Sequence, residues 1–308
     1  MNPTHTDSII GINWGSSNFR AYLIAADGHA RDVLELPAGV TMLQRDGMAD
    51  IGNQVRQRWP QASQAYAAGM IGSNVGWTDA GYLDCPADLD AVARGLVATR
   101  IGDLAVDIVP GLACVREADG APDIMRGEET ELFGLLGTSA LDDAPVVALP
   151  GTHTKWVQLQ EGRVQAFMTS MSGELFDRLS SGGLLASVVE GPGEAGPAFI
   201  EGVRTAATRS LGLGALLFGV RARMIRGTLP RAETSSYLRG LLAGAEIADA
   251  LALFPALRTA TLPLVGSAPV CRLYQAALET LGIAARPVAS ADAIVRGFSA
   301  IHAVRQRA

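Results

Sequence analysis

Strand-like patterning dominates the start of the chain. Residues 8–13 (SIIGIN), 19–26 (FRAYLIAA) and 30–36 (ARDVLEL) are short segments rich in β-branched, aromatic and aliphatic residues. The turn signals WGSSN and DG separate them, and this spacing predicts an antiparallel meander of three strands. Residues 50–59 then change to helical spacing, QAYAAGMIG (64–72) reads as a strand running into a loop, 86–98 as a helix, and LAVDIVPG (104–111) as a strand ending on a Pro-Gly break. After the polar connector LDDAP (141–145) the outline repeats. PVVALPGTHTKWVQLQEGRVQAFMT gives three strands around a Gly-Thr and a Glu-Gly turn, and helices follow over 174–254. The strand ATLPLVG, a helix over 268–281, a short strand at 285–288 and a helix from 290 close the chain. The expectation is an α/β protein of two lobes, 1–140 and 141–308, with the last helix packing back toward the N-terminal lobe.

Composition narrows the class of function. A chain of 308 residues suits two ordinary domains, and with 48% hydrophobic and 18% charged residues it reads as globular. No apolar run is long enough to span a bilayer, and the opening MNPTHTD has neither the basic region nor the long apolar core of a signal peptide, so a cytoplasmic protein without a membrane partner is expected. A formal charge of -6 with no basic stripe argues against nucleic acid and for a small-molecule ligand. Cys85, Cys114 and Cys271 are widely spaced, which fits reduced thiols and neither a zinc site nor a disulfide framework.

The two Gly and hydroxyl turns carry the first chemical signal. Trp14-Gly15-Ser16-Ser17-Asn18 and Gly151-Thr152-His153-Thr154-Lys155 occupy equivalent places in the two halves. Such turns let backbone N–H groups come close to phosphate oxygens, hydroxyls add donors, and Lys155 brings a cation for charge on a transferred phosphoryl group. Either turn alone reads as an ordinary hairpin; their pairing favours a nucleotide. Neither a P-loop nor a GxGxxG fingerprint occurs. Between the turns lies DIMRGEETEL (123–132), where Glu128 and Glu129 open a helix. A carboxylate there suits proton abstraction from a sugar hydroxyl, and Arg126 suits an acidic substrate. The competing explanation is first-turn acids offsetting the helix dipole.

INWGSSNFRAYL, GMIGSNVGW, PGL, DIMRGEETELFG, LPGTHTKWV, MSGELF, GTLP and RGLLAGAEIADAL occur in this order. Together they closely resemble the 2-dehydro-3-deoxygalactonokinase family over nearly the whole chain. The resemblance implies the two-lobed actin-like ATPase (ribonuclease H-like) fold of the acetate/sugar kinase, hexokinase and actin superfamily, each lobe a mixed five-stranded sheet flanked by helices, with ATP and Mg2+ as cofactors. It implies phosphorylation of 2-dehydro-3-deoxy-D-galactonate at the 6-hydroxyl, in galactonate and galactose catabolism. Carried onto this chain, Trp14, Gly15, Ser16 and Ser17 match the first phosphate motif, Gly151, Thr152, His153 and Lys155 the second, and Gly266 and Ser267 a looser adenosine region. Ser267 reads equally as a helix N-cap. Ser73, Asn74, Trp77 and Arg126 are nominated for the sugar acid, with Trp77 equally readable as core, and Ser172 and Glu174 also match. Glu128 or Glu129 would be the base. Gly240 and Gly244, four apart on a helix over 234–254, predict close helix packing, at a hinge in the superfamily. A homodimer is compatible with the chain.

Two positions depart from the family pattern. Asn13 stands where the family reads Asp, an acid that organises hydrated magnesium and its phosphates. Asn keeps an acceptor oxygen and loses the charge, so metal handling should weaken. Met168 stands where Arg usually precedes the Thr. A kinase with altered metal dependence, a weak kinase for another sugar acid, and a non-catalytic sugar-acid or nucleotide binder are the readings left open.

Overall fold

The computed structural model describes residues 8–141, 144–208, 211–290 and 292–307; residues 1–7, 142, 143, 209, 210, 291 and 308, which include part of the connector expected over 141–145 and one position of the helix expected from 290, lie outside the described residues. The chain divides into two compact units. One comprises Met1–Asp142, Gln160–Ala166 and Ser290–Ala308, the other Asp143–Leu159 and Phe167–Ala289. The division is thus not a single cut: the hairpin tip at 160–166 and the C-terminal segment belong to the first unit.

The first unit opens with the antiparallel meander β1 (Ile9–Trp14), β2 (Phe19–Ile24) and β3 (Ala30–Leu36). Helix α1 (Arg45–Arg58), β4 (Gln64–Ala68), β5 (Tyr82–Asp84), α2 (Leu89–Arg94), β6 (Val97–Ile101), β7 (Leu104–Ile108), β8 (Gly111–Val115), β9 (Pro122–Met125) and α3 (Glu128–Leu136) follow. Its main sheet runs β3-β2-β1-β4-β7-β6. The pairs β1/β4 and β4/β7 are parallel and β6/β7 is antiparallel.

Three local expectations change. The sheet has six strands, not five, because β6 folds back on β7 through Gly102. The helix over 86–98 shrinks to α2: Gly95 ends it, and Val97 already pairs with Ile108 in the sheet. The helix over 50–59 begins earlier, at Arg45. A small sheet, β5-β8-β9, was not foreseen; its strands are three to five residues long and only partly apolar, too short for a period to show.

The second unit repeats the arrangement with β10 (Val146–Leu149), β11 (Thr154–Gln160), β12 (Arg163–Ser170), α4 (Ser172–Ser181), α5 (Gly183–Ala186), α6 (Pro197–Ala207), α7 (Leu213–Ile225), α8 (Thr234–Leu253), β13 (Leu262–Val265), α9 (Ala268–Thr280) and β14 (Ala285–Val288). Its sheet order, β12-β11-β10-β13-β14, has the same pattern as β3-β2-β1-β4-β7. The parallel pairs β10/β13 and β13/β14 correspond to β1/β4 and β4/β7. In both units the phosphate-type turn therefore follows the first, central strand.

Small residues allow α6 and α8 to meet closely. A Cβ at Gly240 would lie 2.0 Å from Phe199 O, one at Gly244 2.4 Å from Val203 O, and one at Gly202 2.4 Å from Tyr237 O. The final helix, α10 (Ala293–Arg305), packs in the first unit against α3, where a Cβ at Gly297 would fall 2.0 Å from Thr130 O. Tyr66 of β4 bonds His302 Nδ1 at 2.8 Å and Asp107 of β7 meets Arg305 at 3.2 Å, so α10 is tied to the sheet as well.

Candidate active site

In the first unit three segments meet at the end of β1. Asn13 and Trp14 end the strand, Gly69 follows β4, and Gly127 precedes α3. Gly69 has φ 93°, and a Cβ there would lie 2.8 Å from Trp14 O and 3.5 Å from Asn13 Oδ1. Gly127 has φ 105°, and a Cβ on it would reach 3.3 Å from the Gly69 Cα. Both positions thus have a positive φ that favours glycine, and at Gly69 a side chain would also collide with the Trp14 backbone. The start of α3 is thereby held beside the strand end that carries Asn13.

The hairpin after β1 is well braced. Gly15 N–H donates to Asn18 O at 2.9 Å, Gly15 O accepts from Val40 N–H at 3.0 Å, and Ser16 O accepts from the Thr41 hydroxyl at 2.7 Å. Ser16 and Ser17 are exposed and their side chains face solvent. The Trp14 side chain does not belong to that surface. It is fully buried, donates from Nε1 to Ala38 O at 2.8 Å and meets Phe19 edge to face at 4.7 Å. Of the matched residues at this hairpin, Trp14 therefore offers a ligand only its backbone.

Glu128 and Glu129 have different environments despite their adjacency. Glu129 is fully buried and accepts from Gly127 N–H at 2.6 Å and from the Thr130 hydroxyl at 3.1 Å. Burial, reinforced by the neighbouring Glu128 charge, pushes its carboxyl up to about 8. Burial and Glu128 likewise push Glu131 up to about 7. Glu128 is half-buried and accepts from Arg126 N–H at 3.1 Å. Of the two, only Glu128 is partly exposed.

Arg126 is the least satisfied charge among the described residues. Its side chain is 4% exposed, Nη2 donates to Gly81 O at 2.8 Å, and Asp79 lies at 3.9 Å. The guanidinium sits 4.3 Å from the Tyr82 ring centroid. Nε and Nη1 are buried and make no hydrogen bond to the described residues. Nε–H and the Nη1 N–H groups lie on different edges of the guanidinium, so they offer separate donors, together with a full positive charge, to an acidic group.

The other nominated residues of this unit divide. Ser73 is buried and its hydroxyl is spent on Met70 O at 2.7 Å, which makes it a turn residue and not a free donor. Asn74 is exposed. Trp77 packs partly on the core, its other flank covered by Arg45, whose guanidinium lies 3.9 Å from the ring centroid. Arg45, Tyr82 and Asp79 were not foreseen, because only folding brings them to Trp77 and Arg126.

In the second unit the tip of the hairpin between β10 and β11 is exposed at Gly151, Thr152 and His153, and the next two residues are buried. His153 Nε2 bonds Glu174 at 2.7 Å, and that bond, aided by Arg178, holds the Glu174 carboxyl below its usual range. Glu174 N–H donates to Thr152 O at 3.0 Å, seating the start of α4 on the hairpin. Lys155 is 5% exposed and its Nζ donates to the Thr169 hydroxyl at 2.9 Å, so the ammonium lies beneath the hairpin and not at its tip. Gly266 and Ser267 form the turn between β13 and α9; Ser267 is the N-cap residue by backbone, yet its side chain makes no capping bond.

Behind this hairpin lies a buried polar cluster that was only partly foreseen. Glu246 of α8 accepts from Trp156 Nε1 at 2.8 Å, from the Tyr274 hydroxyl at 2.9 and 3.0 Å, and from the Ser172 hydroxyl. Burial pushes Glu246 up, against the donors Ser172, Trp156, Tyr274 and Ser170. Tyr274 also bonds Thr154 Oγ1 at 2.8 Å, and Thr154 Oγ1 accepts from Gly151 N–H at 3.4 Å. Ser172, nominated for substrate, is thus buried and committed to this cluster. The sequence signal was Glu246, with Asp249 one of two acids within the otherwise apolar GLLAGAEIADAL.

Comparison with known proteins bears on these groups. The family described as 2-keto-3-deoxy-galactonokinase matches residues 13–301. The chain belongs to this family. A relative in Escherichia coli (strain K12), named 2-dehydro-3-deoxygalactonokinase, is 37% identical over 304 residues, covering 97% of this chain and 99% of that protein. A Rhizobium meliloti (strain 1021) relative is 36% identical over 300 residues, 94% of each chain. Among solved structures, a candidate 2-dehydro-3-deoxygalactonokinase from Sinorhizobium meliloti superposes with a TM-score of 0.84 at 31% identity, covering 97% of this chain and 98% of that one. The fold is accordingly the two-unit α/β kinase architecture of this family, and the family match begins at the residue, Asn13, that departs from the expected acid.

Proposed function

We propose that the protein is an ATP-dependent carbohydrate kinase that phosphorylates 2-dehydro-3-deoxy-D-galactonate on its 6-hydroxyl, giving the 6-phosphate and ADP. The observation that carries this reading is the match to a kinase family over residues 13–301. Two features of the chain support the acid substrate and the chemistry. Arg126 keeps a positive charge and unspent N–H donors for an acidic group, and Glu128 carries a carboxylate beside it.

In this reading Glu128 takes the proton of the 6-hydroxyl as that oxygen attacks the terminal phosphorus of ATP, and the bond to the bridging oxygen of ADP breaks. The hairpin residues Gly15, Ser16 and Ser17, and Gly151, Thr152 and His153, bind phosphate oxygens, and Lys155 adds positive charge from beneath the second hairpin. Gly266 and Ser267 border the adenosine. Trp77 and Asn74 flank the sugar acid carbon chain and its hydroxyls.

Magnesium has a thin protein donor set here. Among the described residues no three His, Cys, Asp or Glu side chains converge, and the strand end offers the Asn13 amide oxygen in place of a carboxylate. This fits a hydrated cation carried mainly by the ATP phosphates, whose charge it offsets when bound. Asn13→Asp should therefore raise turnover at low magnesium and leave turnover at saturating magnesium little changed. Equal turnover at every magnesium concentration would remove Asn13 from the metal's surroundings.

The reading itself is tested by coupled ADP release with 2-dehydro-3-deoxygalactonate and magnesium. Release dependent on the sugar acid supports it. Saturable binding of nucleotide and sugar acid with no release would make the protein a binder on a kinase scaffold.

A further inference from the structure

The second phosphate hairpin is supported from below by a chain of hydrogen bonds with one direction. The Trp156 indole N–H only donates, and the Glu246 carboxyl oxygens accept hydrogen bonds from it and from the Ser172 and Tyr274 hydroxyls. With its own proton committed to Glu246, the Tyr274 oxygen accepts from the Thr154 hydroxyl. The Thr154 oxygen in turn accepts from Gly151 N–H. The same carboxylate also holds Ser172 at the first turn of α4, and the next residues of that turn carry Glu174, whose N–H closes on Thr152 O at 3.0 Å. One buried acid thus braces both segments that border the hairpin tip.

We propose that Glu246, Tyr274 and Thr154 are positioning residues for nucleotide phosphate at the Gly151–Thr152–His153 tip. The proposal rests on the kinase reading of that hairpin. The chain spends Gly151 N–H and Thr152 C=O inside the protein. The Thr152 and His153 N–H groups, the two donors that remain at the exposed tip, make no hydrogen bond to the described residues. A phosphate-binding turn works only when its N–H groups are held to within a fraction of an ångström, and a loop of Gly and Thr does not hold itself. A cluster with no such task would be replaceable by apolar packing, since burying an acid is unfavourable unless its partners are all in place.

The test measures ADP affinity by titration calorimetry together with steady-state constants for ATP and sugar acid. Tyr274→Phe keeps the ring and breaks the chain; Thr154→Val keeps the shape and removes the hydroxyl. Each is expected to weaken ADP binding about tenfold, the scale of one lost buried hydrogen bond. The ATP KM should rise in parallel while the sugar-acid KM stays within about twofold. Thr154→Ser, which keeps the hydroxyl, restores the wild-type affinity. The double variant should be no worse than either single, because both cut the same chain.

A fall in melting temperature with ADP affinity unchanged would reduce the cluster to a structural role and overturn the proposal. Equal changes in both KM values would overturn it as well. If the wild type binds ADP but does not phosphorylate the sugar acid, the kinase reading fails and the calorimetric comparison still decides the hairpin. Absence of ADP binding by the wild type removes both.

Discussion

Glu128→Gln is expected to lower kcat by about 10²- to 10⁴-fold, the usual span for loss of a general base, with ATP and sugar-acid KM little changed. The adjacent acid should behave otherwise. Glu129→Gln retains most of kcat, because its carboxyl is fully buried and engaged by Gly127 N–H and the Thr130 hydroxyl. Its effect appears in stability. The Glu129 carboxyl rises from 4.5 to about 8 in the folded chain, and Glu131 from 4.5 to about 7. A raised folded value means that the stabilising protonated form is fully present below the unfolded value and is lost as pH rises through the folded one. Wild-type stability should therefore decline between pH 4.5 and 8, and Glu129→Gln should flatten part of that decline. Melting curves across this window check it. A large kcat loss in Glu129→Gln with a normal Glu128→Gln enzyme would reverse the assignment.

Arg126→Ala is expected to lower kcat/KM for the sugar acid by about 10²-fold, in line with losing charge-assisted hydrogen bonds. The ATP KM should hardly move. Arg126→Lys should recover little, because a lysine ammonium does not reproduce a planar guanidinium that stacks on Tyr82, bonds Gly81 O and still has donors on other edges. Arg126 also bonds Gly81 O and stacks on Tyr82, so loss of activity alone does not separate binding from folding. The decisive comparison is between the sugar acid and an uncharged analogue with the carboxylate reduced to an alcohol. The wild type should prefer the acid strongly, and Arg126→Ala should lose that preference. A preference that survives the substitution would place the carboxylate elsewhere.

These expectations depend on distinctions of different origin. The central strands, the two Gly and hydroxyl turns, the Gly-spaced helix α8 and the family were legible in the sequence. Each is encoded locally: β-branched runs, turn residues and i, i+4 spacing act within a few positions of chain. The three-strand meander that opens each unit follows from that local code, because short turns close it, whereas the parallel pairs that extend each sheet join strands far apart in the chain.

Burial and partnership were decided only by the tertiary structure. Neighbours on a helix are about 100° apart, so one of two adjacent acids can enter the core while the other does not, and only the packed surface of α3 determines which. Trp14 read as part of a phosphate turn and became core, while Ser73 and Ser172 read as donors and had their hydroxyls taken by Met70 O and Glu246. In the same way Arg126 acquired its meaning from Tyr82 and Gly81, and Glu246 from Tyr274 and Trp156. Sequence alone determined which residue types and turns this protein carries and which family they belong to. Whether a given polar atom is spent or available depends on contacts between residues far apart in the chain, and local spacing contains no record of them.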